Sequence, residues 1–158
     1  MSKKDYNRII PTSKLEVELY LSYKDMGFNE AIVNKKVMWY KLASYTIKEN
    51  NDSSSKVYLH LNDFVTIQDD EYKESYAIIR GIIQHKGNDE NNYVFVIVDW
   101  FENTGQEHLL LKCPFYSLQT KNWRRVFLIN SIDNVQKVHF IKQDNRKWIK
   151  NNFYFTAI

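Results

Sequence analysis

The sequence contains only one cysteine, Cys113, so no internal disulfide can form and a reducing compartment is expected. Four glycines and two prolines in 158 residues leave little material for flexible linkers or for a glycine-rich phosphate loop. No apolar run approaches the roughly 18 residues that a membrane-spanning helix needs. The N-terminal residues also lack the apolar core of a secretory signal, so we expect a nuclear or cytoplasmic protein without membrane contact.

Residues suited to catalysis or metal binding are scarce as well. The four histidines are not spaced as metal ligands, either with one another or with Cys113. Acid–base catalysis needs a carboxyl group in an apolar setting, and Asp99 is the only acid within an apolar run. We expect Asp99 either to join a polar network or to face solvent. The sequence therefore predicts no catalytic residue, no metal site and no cofactor.

Aromatic residues are plentiful, at 15%, and they favour strands over helices. The segment LEVELYLSY, residues 15–23, alternates apolar and polar residues and is predicted to be a half-buried strand. A helical turn is one reading of residues 25–36. Further strands are predicted at 37–47, 57–67 with a break near Asn62 and Asp63, 76–85 with a bulge at Gly81, 93–101, 108–119, 123–132, 137–142 and 153–158.

Strands at this spacing predict one mostly β domain over residues 15–158, preceded by a flexible segment of residues 1–14. A closed or nearly closed barrel and a sandwich both fit the pattern. We expect the segments 57–67, 76–85 and 93–101 to form one antiparallel meander, with residues 93–101 buried on both faces. The predicted core contains Ile78, Val94, Val96 and Val98, with Phe95 or Ile97.

The charge is distributed unevenly along the chain. Residues 112–158 carry nine Lys or Arg and two Asp or Glu, whereas residues 1–111 carry 13 and 17. Such a basic half favours an acidic partner, although a solvated basic face is an equally good reading. The candidate residues for DNA or RNA binding combine cations with a stacking ring: Lys121, Trp123, Arg124, Arg125, Arg146, Lys147 and Lys150.

Four motifs follow one another within residues 57–142: LNDFVTI (61–67), SYAIIRGII (75–83), VFVIVDWFENTGQE (94–107) and VHFIK (138–142). In this order they resemble the motifs of a bromo-adjacent homology domain. It implies a distorted β-barrel of antiparallel strands with short peripheral helical or loop elements. It also implies a non-catalytic module that binds histone tails or other chromatin proteins in the nucleus.

Members of that family that bind methyl-lysine use aromatic residues of the second and third motifs. The resemblance therefore implies a partial cage made by Tyr76 and Trp100. The third cage position is occupied here by Glu102, and Phe101 is the candidate substitute. Such rings attract a cation by roughly 0.5–2 kcal/mol per contact. The alternative for all three rings is ordinary core packing.

Three functions remain open at this point. The first is a chromatin-associated module that binds a protein partner. The second is nucleic-acid binding through the basic C-terminal half. The third is a scaffolding subunit whose aromatic side chains are buried against other members of a larger nuclear complex.

Overall fold

The computed structural model describes residues 9–48, 54–68, 74–119, 124–135, 138–144 and 147–152. These residues form one helix, eleven strands and a single 3-10 turn at Ile129–Ser131. The helix α1 spans Thr12–Asp25. The strands are β1 (Val37–Tyr40), β2 (Leu42–Lys48), β3 (Ser54–His60), β4 (Phe64–Gln68), β5 (Glu74–Lys86), β6 (Asn92–Glu107), β7 (Pro114–Gln119), β8 (Arg125–Leu128), β9 (Ile132–Val135), β10 (Phe140–Lys142) and β11 (Lys147–Lys150).

Nine of these strands make one antiparallel sheet that curls into a half-barrel. Its main order is β10-β11-β7-β6-β5-β4-β9, while β1 pairs with the second half of β5 and β8 pairs with the first half of β6. The strands β2 and β3 form a separate hairpin. The predicted mostly β fold and the distorted, barrel-like architecture are confirmed.

The central strand β6 is buried on both faces, as predicted. On one face, Val96 and Val98 pack with residues of β4, β5 and β9, including Val65 and Ile82. Side chains alternate along a strand, so Phe95 and Ile97 point to the other face and pack against α1. Ile78 is buried as predicted, whereas Val94 is only half-buried and therefore belongs to the core only in part.

The prediction of a strand at residues 15–23 is wrong, because these residues lie within α1. The buried residues Leu15, Leu19 and Tyr23 are four apart, a spacing that satisfies both the strand period of two and the helix period. The residues between them distinguish the two structures. Val17 is 58% exposed, although a half-buried strand would bury it on the same face as Leu15.

The predicted boundary between residues 14 and 15 falls inside the first turn of α1. Pro11 precedes the helix, where a missing backbone N–H costs nothing. Ile10 is fully buried against the sheet, so ordered packing begins before residue 15. Residues 1–8 lie outside the described residues.

Two further strand predictions are refined. Residues 37–47 form two strands, because the chain leaves the main sheet at Lys41 and continues as β2 of the hairpin. Residues 57–67 divide between β3 and β4 at the predicted break, where Asn62 has a positive φ of 72°. The meander therefore consists of β4, β5 and β6. The predicted strand at residues 153–158 lies outside the described residues.

The predicted bulge of β5 is present beside Gly81. Ile79 pairs with Val98 and Gly81 pairs with Ile97, so Arg80 is the extra residue. A β-carbon at Gly81 would lie 3.1 Å from Ile97 Cδ1 and 3.1 Å from Trp39 Cζ3. Glycine therefore permits the close approach of β1 and β6 to the bulge.

Candidate functional site

A concave surface lies between α1 and residues 31–39, which lead into β1. This groove has a volume of about 990 Å³. Its walls are mainly apolar, with Leu15, Val17 and Leu19 on the helix side and Ile32, Val37 and Trp39 on the opposite side. Exposed apolar side chains continue from the walls to the rim, where Met38 is 62% exposed. Such a surface suits an apolar ligand more than a polar one.

Hydrogen bonds fix the wall that is not helical. Asn88 accepts a bond from the backbone N–H of Val33 at 3.0 Å and donates to the carbonyl of Ala31 at 2.8 Å. His85 Nε2 lies 2.6 Å from the carbonyl oxygen of Asn34, which can only accept. The loop that forms this wall is thus anchored at three residues to β5 and to the turn that follows it.

The same histidine joins the loop to the helix. Because Nε2 of His85 donates to Asn34, Nδ1 accepts, and the Tyr23 hydroxyl donates to it at 2.6 Å. Burial raises the pKa of Tyr23 well above its usual range, and the neighbouring Tyr93 and Asp89 raise it further. Tyr23 therefore remains a neutral donor, and the two walls of the groove are linked through one buried imidazole.

Across the groove mouth, Lys35 Nζ lies 3.8 Å from a carboxylate oxygen of Glu16. Both side chains are substantially exposed, so this ion pair is weak and readily exchanged. The groove therefore combines fixed apolar walls with one cation and one anion at its opening. This arrangement can bind an apolar segment and orient charges beside it.

The structure does not bring Tyr76 and Trp100 together, which corrects the predicted cage. Ala77 pairs directly with Trp100, so these two side chains share a face of the sheet. Tyr76 precedes Ala77 and consequently points to the opposite face. Trp100 packs edge-on against Phe127, with ring centroids 5.2 Å apart. The resemblance gave the positions of the two aromatic residues along the chain. It did not show how β5 pairs with β6, and this pairing puts the two rings on opposite faces of the sheet.

Phe101 shares the face of Tyr76 but is not free to contact a ligand. It is buried and stacked on Phe140, with ring centroids 3.8 Å apart and planes 5° apart. Trp148 packs edge-on against the same Phe101, with ring centroids 5.4 Å apart. The prediction of Phe101 as a cage residue is therefore replaced by a role in an aromatic cluster on this face of the sheet.

The exposed part of Tyr76 is already covered by a cation of this chain. Lys150 Nζ lies 4.5 Å from the centroid of the Tyr76 ring and donates to its hydroxyl at 2.9 Å. Burial lowers the pKa of Lys150, but the Tyr76 hydroxyl, Tyr116 and Glu74 together outweigh it and raise the pKa overall. Lys150 was predicted to face nucleic acid; in the structure its charge is directed at the chain's own tyrosine.

Arg124 is also removed from the predicted basic surface. Its Nε donates to Oδ1 of Asp99 at 2.8 Å, and its Nη1 donates to the carbonyl of Ile9 at 2.6 Å. Arg80, the bulged residue of β5, donates to Oδ2 of the same carboxylate at 2.8 Å. Asp99 is fully buried, so of the two predicted environments it occupies the polar network.

The other basic candidates are separated along the sheet. Arg125 in β8 pairs with Glu18 of α1 at 3.1 Å, whereas Lys147 in β11 lies 4.3 Å from the centroid of Phe115. The strands β8 and β11 do not pair with each other, because β8 joins the first half of β6 and β11 joins β7. Lys121, Trp123 and Arg146 lie outside the described residues.

The sequence predicts a strand at residues 15–23 and therefore did not predict the groove. The local pattern offered no signal for a helix here, because Val17, Leu19 and Leu21 alternate with polar residues as in a strand. Among the residues that the structure describes, no group of three His, Cys, Asp or Glu side chains could hold a metal ion. No helix in the described part of the chain is long and apolar enough to cross a bilayer.

In comparisons with known proteins, no family model, no curated protein and no solved structure matches the chain. The resemblance to bromo-adjacent homology domains therefore rests on the sequence motifs themselves.

Proposed function

We propose that this protein is a non-catalytic binding module that holds an apolar segment of a chromatin protein in the groove between α1 and β1. The groove is the observation on which the proposal rests. It has the volume and the apolar lining of a ligand site, and its walls are fixed before any partner arrives. A preformed wall reduces the entropy that binding must overcome.

The chemistry of the groove favours a protein segment over a charged polymer. Its walls are aliphatic and aromatic, and the exposed charges at its mouth are one acid, Glu16, and one base, Lys35. An apolar segment flanked by charges of both signs complements such a surface. Amphipathic peptide segments bind grooves of this kind through a few apolar anchors.

Chromatin as the source of the partner is supported by the motifs in residues 61–107. In the structure these motifs form the neighbouring antiparallel strands β4, β5 and β6. They are three of the four motifs on which the resemblance depends. The nuclear location and the histone or other chromatin partner belong to this proposal.

Binding to recombinant mononucleosomes tests the proposal, with fluorescence anisotropy as the measurement. We expect Val17→Asp and Met38→Asp, both at exposed groove positions, to weaken binding at least tenfold. Tyr58→Asp is the matched control, because Tyr58 is similarly exposed but lies on the separate β2–β3 hairpin. Urea unfolding of each variant shows whether the fold is retained.

Two results would overturn the proposal. One is the absence of nucleosome binding, and the other is binding that Val17→Asp and Met38→Asp leave unchanged. Free nucleosomal DNA of the same length is the third arm. Equal binding of free DNA and nucleosomes would favour the nucleic-acid function, for which Arg125 and Lys147 are the remaining described candidates.

A further inference from the structure

The connection between β6 and β7 exposes three consecutive leucines. Leu109 and Leu110 are 85% and 88% exposed, and Leu111 is also exposed. Residues 102–107, the second half of β6, are exposed as well, and Glu107 pairs with Pro114, so the leucines lie at the end of the β6–β7 hairpin. We name Leu109, Leu110 and Leu111 the leucine tip. Contiguous exposed apolar side chains of this kind mark a contact surface.

The leucine tip is a turn that is held in place by hydrogen bonds. The ring of His108 accepts through Nδ1 from the backbone N–H groups of Leu110 and Leu111, at 3.2 and 3.1 Å. The turn is closed by His108 N–H, which donates to the carbonyl of Cys113, and by Lys112 N–H, which donates to the carbonyl of His108, both at 2.9 Å. These bonds hold the leucines outward and reduce the conformational freedom that docking would remove.

The leucine tip and the groove lie at opposite ends of β6. Trp39 of the groove pairs with Ile83, which pairs with Phe95 near the start of β6. Leu109 follows the end of β6, 14 residues after Phe95, and the irregularity between Asn103 and Glu107 keeps their separation below the roughly 45 Å that a fully extended chain would span. The strand β6 therefore holds the tip away from the groove of its own molecule and leaves it open to the groove of another.

The two surfaces match in chemistry. Both are apolar, and each carries an exposed acid and an exposed base. Glu107 and Lys112 flank the leucine tip, while Glu16 and Lys35 stand at the groove mouth. The weak pair between Glu16 and Lys35 can thus be replaced by two ion pairs between molecules.

We propose that the leucine tip of one molecule docks into the α1–β1 groove of a second copy, which forms a head-to-tail assembly and closes the groove to other partners. The inference rests on the groove of the proposed function and adds a regulation of it. A head-to-tail contact leaves one tip and one groove free at the ends, so the assembly grows with concentration unless it closes into a ring.

Sedimentation velocity of the purified chain at increasing concentration is the test. We expect the wild type to associate, and we expect Leu109→Asp/Leu110→Asp and Val17→Asp/Met38→Asp each to remain monomeric over the same range. His108→Ala keeps the leucines but removes the ring that accepts two backbone bonds, so it should raise the dissociation constant at least threefold. Tyr58→Asp is the control and should associate as the wild type does.

Mixing the two monomeric variants gives the most specific result. The tip variant keeps its groove and the groove variant keeps its tip, so the mixture should form a one-to-one complex that stops at two molecules. A wild type that stays monomeric would overturn the inference. So would a tip variant that still associates, or a groove variant that still dimerises through its own leucines. Since no nucleosome is present, these outcomes are independent of the test of the proposed function.

Discussion

Arg124 donates from Nε to Oδ1 of the fully buried Asp99 at 2.8 Å. The other carboxylate oxygen accepts from Nε of Arg80 and from Nη2 of Arg124, while Nη1 of Arg124 donates to the carbonyl of Ile9. One buried carboxylate therefore joins the bulge of β5, the middle of β6 and the residue before β8. Through Arg124 it also holds the segment that precedes α1.

We expect Arg124→Ala to lower the free energy of unfolding by about 3–5 kcal/mol, because it leaves the charge of Asp99 with a single partner in a buried site. Urea denaturation followed by fluorescence measures the loss. The ion pair between Lys35 and Glu16 provides the control. Both side chains are substantially exposed, so Lys35→Ala should cost less than about 1 kcal/mol. Equal losses for the two variants would contradict this assignment.

Two positions on one face of β6 can be compared with the same kind of substitution. Val96 is fully buried and Val94 only half-buried, although both belong to the same strand and point to the same face. Val96→Ala should lower the free energy of unfolding by about 2–3 kcal/mol through lost burial and the cavity left behind. Val94→Ala should cost less than half of that. Similar losses at both sites would mean that β6 is placed wrongly.

The strands of the main sheet were predictable because their signal is local. Residues 93–101 are apolar almost without interruption, and only a strand covered on both faces accepts such a run. The bulge at Gly81 and the break at Asn62 were also predictable, since each has a residue that tolerates unusual backbone geometry. The environment of Asp99 was left open, because its partners are 19 and 25 residues away.

The helix and the groove could not be predicted from a local pattern in the sequence. Leu15, Leu19 and Tyr23 fit both periods, and the choice of a helix follows from its packing on Phe95, Ile97 and Val126 of the folded sheet. The leucine tip is likewise ambiguous in sequence, because three leucines before Cys113 resemble a buried strand. Their exposure results from the turn that His108 closes.

The stability of the protein at alkaline pH should depend on Tyr23, which is buried near the end of α1. In an unfolded chain a tyrosine ionises near pH 10, whereas burial raises the pKa of Tyr23 in the folded protein. Above about pH 10 the unfolded state therefore releases a proton that the folded state retains. This stabilising effect is fully present below pH 10 and is lost as pH rises towards the folded pKa.

Tyr23 should accordingly contribute up to about 1.4 kcal/mol per pH unit to the alkaline loss of stability. Tyr23→Phe keeps the ring and should flatten the profile measured by urea unfolding between pH 9 and 11.5. Burial and Tyr76 raise the pKa of Tyr116, whereas Lys150 lowers it. Tyr116→Phe should therefore flatten the pH profile less than Tyr23→Phe does. A Tyr23→Phe profile parallel to that of the wild type would contradict the prediction.

The register of β5 and β6 makes a clear prediction about methylated lysine. Because Tyr76 and Trp100 point to opposite faces, and because Lys150 covers Tyr76, these rings should not distinguish a trimethyl-lysine peptide from its unmodified form. Trp100→Ala should leave the ratio of the two dissociation constants unchanged, while it lowers the free energy of unfolding by about 2 kcal/mol through lost packing on Phe127.

Lys150→Ala is the informative companion, because it uncovers the Tyr76 ring without touching Trp100. Isothermal titration calorimetry with a matched pair of histone peptides measures the ratio in all three proteins. A wild-type preference for the trimethylated peptide that disappears in Trp100→Ala would show that the two rings converge, and would restore the cage that the pairing of Ala77 with Trp100 opposes.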